Sequence, residues 1–136
     1  MTYSSTPTTM FFIIEDSDKN YSIIALMEYL SKQLTKEELH EFEKKYFPYT
    51  KITVDIENNH LVIGCELHAD GEPILIEHGA DTDNIWGGGI NFVTKDFDTT
   101  AVLNLRPRLG NASMELLDTT RREKFFKVAR YIFAEL

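Results

Sequence analysis

Two short polar pairs, Asn58-Asn59 and Asp70-Gly71, divide residues 51 to 79 into three segments of alternating apolar and polar character. That spacing constrains the fold more than any other feature of the chain. Two-residue turns of this chemistry join antiparallel strands and fix which side chains lie opposite each other. The first hairpin would set Ile56 opposite Leu61, Val54 opposite Ile63 and Ile52 opposite Cys65. The second would set Leu67 opposite Ile74 and Cys65 opposite Ile76. Both agree on one apolar face. The opposite face would carry Lys51, Thr53, Asp55, Glu57, His60, Glu66 and Glu77, with Val62 and Leu75 among them. A sheet of this kind buries one side and shows an acidic side to water.

Helical signals flank this meander. Met10 to Glu15 is a short apolar run that suits a buried strand or the lead-in to a helix. Asp16, Ser17, Asp18 and Asn20 are possible N-caps for a helix over residues 19 to 34, with Ile23, Met27, Leu30 and Leu34 on one stripe. Thr35 and Glu38 form a capping box for a second helix, which carries Leu39, Phe42 and Tyr46 on one face and ends before Pro48. Beyond the meander, residues 79 to 89 read as a glycine-rich loop holding Asp81, Asp83 and Trp86. A further hairpin is expected from 91–94 and 100–105, extending the sheet. Thr120 and Glu123 make another capping box, opening a C-terminal helix with Phe125, Ala129, Ile132, Phe133 and Leu136 on its stripe. The expected fold is α+β: an antiparallel sheet of about five strands packed against two N-terminal helices and one C-terminal helix. At 136 residues the chain suits a single domain over 1–136, with only the Ser/Thr-rich residues 1–9 resembling a disordered segment.

Fourteen basic against twenty-two acidic residues give a net charge of −8 and a pI near 4.9. Phosphate backbones repel such a chain, so nucleic-acid binding is disfavoured, while a basic protein partner is favoured. Between Asp55 and Asp98 the one Lys or Arg is Lys95. No apolar run is long enough to span a membrane and no secretory signal opens the chain, so a cytoplasmic protein is expected. The single cysteine, Cys65, falls among apolar neighbours and reads as a small hydrophobe.

No constellation of chemistry stands out. His60 and His68 would lie on one strand about 26 Å apart, too far to share an ion. His78 would point to the other face, and His40 sits on the charged side of a helix. No H-x-x-H or C-x-x-C spacing exists, so neither a metal nor a cofactor is expected. Gly87 to Gly89 lack the helix N-terminus or lysine that a phosphate loop needs. No serine has a nucleophile-elbow context. What remains is the acidic face with its adjoining loop: Asp55, Glu57, Glu66, Glu77, Asp81, Asp83 and, as an apolar anchor, Trp86. Carboxylates on a rigid sheet suit docking to a basic partner.

In size, acidity, α+β build and lack of catalytic apparatus, the chain resembles the immunity proteins of bacterial contact-dependent growth inhibition and related polymorphic toxin systems. The resemblance implies stoichiometric binding of one cognate basic toxin domain, often a nuclease, whose active site or substrate path is occluded. It implies no catalysis. The alternative from another class is a small enzyme or ligand-binding domain that uses a pocket between sheet and helices.

Overall fold

The computed structural model describes residues 8–15 and 21–136, with side-chain surroundings from Met27 onward. The strands are β1 (Thr8–Glu15), β2 (Tyr21–Leu30), β3 (Tyr49–Asp55), β4 (His60–Cys65), β5 (Ile85–Asn91) and β6 (Asp96–Asp98). The helices are α1 (Lys36–Tyr46), α2 (Glu72–Glu77) and α3 (Thr119–Ile132). All six strands form one antiparallel sheet in the order β1-β2-β4-β3-β5-β6. The α+β class and the antiparallel sheet are thus as the sequence predicts. Among the described residues no helix is long and apolar enough to cross a membrane.

One sheet face is covered by helices. The Thr35 hydroxyl accepts from the Glu38 amide at 3.1 Å while the Glu38 side chain accepts from the Thr35 amide at 2.9 Å, so the predicted capping box starts α1. Leu39 and Phe42 of α1 join Phe125, Val128, Ala129, Ile132 and Phe133 from α3 and its end over Ile52, Val54, Leu61 and Ile63. The Leu34 amide donates to the Ile132 carbonyl, fastening the entry to α1 against the end of α3.

The other face is buried as well, and this overturns the expected one-sided sheet. Thr53, Asp55 and Val62 are wholly buried and His60 nearly so. The cover comes from a 3₁₀ turn (His68–Gly71) and α2, which pack Ile74, Leu75 and Ala80 against Met27, Val62, Cys65 and Ile85. The predicted third strand is therefore helix α2. Its Pro73 suits a first helical turn, where no amide partner is needed. Asp70 does not make a hairpin turn. Its carboxylate accepts from the Leu67 amide at 3.1 Å and so closes the 3₁₀ turn instead.

The first hairpin forms with a shifted register. Residues 56–59 all lie in the loop, with Asn59 at φ 49°, so Val54 pairs with Leu61 and Ile52 with Ile63. A shift by two keeps every side chain on its face. Cys65 does change face, because a bulge beside Gly64 (φ 84°) sets it opposite Lys51. Burial there pushes its thiol up to about 11.

Four further expectations are corrected. Residues 21–30 of the predicted first helix are strand β2, because a run apolar on every side fits a doubly covered strand as well as a buried helix. Its possible caps Asp16, Ser17, Asp18 and Asn20 lie outside the described residues, as do residues 1–7 of the expected disordered segment, whereas Thr8 and Thr9 open β1. The predicted glycine loop is largely strand β5, paired along its whole length with β3. A Cβ on Gly88 would meet the Asp98 carbonyl at 2.0 Å and the Phe125 ring at 2.6 Å, so glycine here permits close packing and marks no break. In place of the predicted last hairpin, β6, which lies between its two expected arms, pairs with β5, while Val102–Asn104 turn into a 3₁₀ segment, and α3 is capped by Asp118, two residues before Thr120.

Candidate functional site: an apolar groove around His68

The ring of His68 lies on the β5 backbone, where its Nε2 is 2.7 Å from the Gly88 carbonyl. A carbonyl only accepts, so Nε2 carries the proton in this bond. Gly87 makes the approach possible. A Cβ there would sit 2.8 Å from the His68 ring and 2.6 Å from the Ala101 methyl. On its other side His68 is held through the backbone, its carbonyl accepting from the buried Thr53 hydroxyl at 2.7 Å. Burial, together with the nearby Lys51 charge, lowers the imidazole below its ordinary 6.5, although the Gly88 bond and Asp98 oppose this. The ring is therefore neutral at pH 7, with Nδ1 as an acceptor. Among the described residues Nδ1 makes no hydrogen bond, and it is not sealed from solvent.

A groove of about 540 Å³ opens beside this ring. Its walls are almost entirely apolar: Leu67 and Ala69 from one side, Ala101 to Leu103 and Met114 from the other. Leu67 is 62% exposed, Val102 75% and Met114 49%, values at which large apolar side chains stay wetted unless something covers them. Lys51 completes the lining. Its Nζ donates to the Glu66 carbonyl at 2.7 Å and forms no ion pair among the described residues. Asn104 holds the far wall from behind: its side-chain amide exchanges bonds with the Gly87 amide and carbonyl and also donates to the Thr99 carbonyl. Asn111 fixes the return segment by donating to the Asn104 and Ser113 carbonyls. Glu115 braces the rim, accepting from the hydroxyls of Thr99 and Thr100 and from Arg122. Burial disfavours its charge, but these donors outweigh that and hold the carboxyl below its ordinary value.

A second polar cluster lies toward the other end of β3. His60 Nε2 donates to the Asp55 carboxylate at 2.6 Å, and Tyr29 Oη lies 2.7 Å from His60 Nδ1. Asp55 also accepts from the Glu57 amide and the Asn58 side chain, so it ties down the β3–β4 loop. The His78 ring stacks on Tyr29 at 3.8 Å. Both Asp55 oxygens, both His60 ring nitrogens and the Tyr29 hydroxyl have partners within the fold, which suits a structural role.

The residues expected to form an acidic docking surface are dispersed. Asp55 is wholly buried, as is Trp86, whose ring belongs to the helical core and has the Arg106 and Arg121 guanidinium groups 5.1 and 4.9 Å from its centre. Neither can touch a partner, and both assignments are corrected on that ground. Glu57, Glu66, Glu77, Asp81 and Asp83 are exposed. Glu57 pairs with Lys124 at 2.6 Å and Asp83 with Arg108 at 2.7 Å, which holds the Asp83 carboxyl below its ordinary value. The sequence pattern places His68 on the outer face of a strand, and the groove around it is hidden for that reason. Pro73, two residues beyond Asp70-Gly71, was the available sign that the chain turns helical there.

Fold and groove together define a small α+β domain with a single-histidine apolar cleft. Residues 28–132 match the family described as Protein of unknown function (DUF5674), and the chain belongs to that family. The match runs from the end of β2 to the end of α3 and so includes the whole groove. No curated protein and no solved structure matches the chain.

Proposed function

We propose that the protein is a small-molecule-binding domain and that the groove beside His68 is its site. One observation carries this reading: a cleft of ligand size, apolar in most of its lining, whose wall also holds one neutral imidazole and one ammonium with no ion pair among the described residues. Pockets that hold organic ligands are built this way, with apolar walls for affinity and a few placed polar groups for orientation. The cleft lies between the turn that begins at His68 and the segments of residues 100–103 and Met114, beside Lys51 of β3.

Inhibition of a basic toxin domain draws less support. It relied on an acidic sheet face anchored by Trp86, and that face is covered by α2 while Trp86 is enclosed. The exposed acids that remain are spread from the β3–β4 loop and the end of β4 to the end of α2 and the segment before β5, and two of them already hold a cation.

Titration with 8-anilinonaphthalene-1-sulfonate tests the site, because the dye joins an apolar body to one anion. Folded protein should bind one equivalent with enhanced fluorescence. Val102→Asp places a charge in the wall at an exposed position, so it should weaken binding about tenfold or more without moving the unfolding midpoint. Dye binding indifferent to this substitution, or absent altogether, would refute the assignment.

A further inference from the structure

The two polar groups of the groove differ in what they ask of a ligand. His68 donates its Nε2 proton to Gly88 and so presents Nδ1 as a lone-pair acceptor. Lys51 uses one ammonium hydrogen on the Glu66 carbonyl, which leaves the others to donate. A carboxylate would satisfy Lys51 and set its own lone pairs against that of His68. A bare hydrocarbon would satisfy neither and would leave both groups dehydrated without partners. A hydroxyl answers both at once, since its hydrogen is given to Nδ1 while its oxygen accepts from the ammonium. The walls from Leu67 to Met114 then take the apolar remainder.

We infer that the groove binds an apolar molecule bearing a hydroxyl group, aromatic or aliphatic, with the hydroxyl bridging His68 Nδ1 and Lys51 Nζ. This rests on the small-molecule reading above. It goes further by naming the functional group that is selected. Sites built around a substrate hydroxyl discriminate strongly against analogues that lack it, because buried polar groups are then left unpaired. An aromatic hydroxyl gains in addition, since a neutral imidazole and an adjacent ammonium both favour withdrawal of its proton.

Three probes of one shape decide the matter: 2-naphthol, 2-methoxynaphthalene and 2-naphthoate, each titrated into the intact chain by calorimetry and by heteronuclear NMR. 2-Naphthol should bind at least about tenfold more tightly than the methyl ether, with ¹⁵N displacement at His68 Nδ1 and shifts of the Leu67, Val102, Leu103 and Met114 resonances. His68→Phe should abolish the preference for the naphthol over the ether. Should that variant fold poorly, Lys51→Met, on the partly exposed part of the lining, should reduce the preference by itself. Equal binding of naphthol and ether in the groove, or tightest binding of the naphthoate, would overturn the hydroxyl assignment and leave the small-molecule reading standing. Failure of all three probes to perturb the groove up to their solubility would overturn both.

Discussion

The two faces of the sheet are buried by different means. On one, α1 and α3 lay long apolar side chains over Ile52, Val54, Leu61 and Ile63, and the core there is continuous. On the other, a 3₁₀ turn and the short α2 cover a surface that mixes Val62 and Ile85 with Thr53, Asp55 and His60. The first face is held by area removed from water, which is forgiving of direction. The second depends on hydrogen bonds that must each be met, and it is the face on which His68 and the groove are assembled. Apolar packing supplies the stiffness, and the polar face has the chemistry.

The contrast predicts that the largest loss of stability comes from the helical face. Phe125 is wholly buried and its ring presses on Gly88. Phe125→Ala should lower the free energy of unfolding by about 3–5 kcal/mol, read from denaturant midpoints. A cost near that of a surface substitution would mean that this face is not the main core. The next largest effect should come from the polar face. Asp55→Ala strands the buried His60 Nε2 donor and the Glu57 amide, at about 1–3 kcal/mol for a buried group left unpaired. Asp55→Asn, which keeps an acceptor for Glu57, should recover part of it. If both variants unfold at the wild-type midpoint, the hydrogen bonds of this face contribute nothing and the comparison fails.

The same contrast explains what the sequence conveyed. The α1 capping box, the apolar stripe of α3 and the face shared by Ile52, Val54, Leu61 and Ile63 are legible because each follows from local spacing. The cover of the other face is not. Asp70-Gly71 carries the chemistry of a hairpin turn, and only the chance for Ile74 and Leu75 to close over Val62 and Cys65 selects a helix after it. Gly87 to Gly89 look like a loop until His68, Phe125 and Tyr49 arrive from distant parts of the chain to press on them. Strand β2 escapes for a related reason, since its apolar residues fit a helical stripe as well as a strand, and only pairing with β1 and with β4, thirty residues on, selects the strand. The groove is made wholly of such long-range meetings, and Lys51, His68 and Val102 carry no mutual signal in sequence.

The smallest effect separates the faces by pH. His68 has its proton affinity lowered by burial, and by Lys51 on β3, against the opposing pull of the Gly88 carbonyl and of Asp98 on β6. In the unfolded chain the same imidazole titrates near 6.5. Below that value the unfolded chain takes up a proton that the folded one resists, so stability falls with acidification. The contribution is therefore whole above about pH 6.5 and declines as pH drops from there through the lower folded value. Glutamine at this position can still donate to Gly88 but cannot titrate. Denaturant midpoints measured between pH 7.5 and 5 should fall more steeply for the wild type than for His68→Gln, with the two lines converging toward acid. The helical face supplies no histidine to its core, so Phe125→Ala should shift the whole wild-type line without changing its slope. Parallel lines for wild type and His68→Gln would show that the imidazole is as wet in the fold as outside it. That outcome would remove the neutral acceptor on which the chemistry of the groove depends.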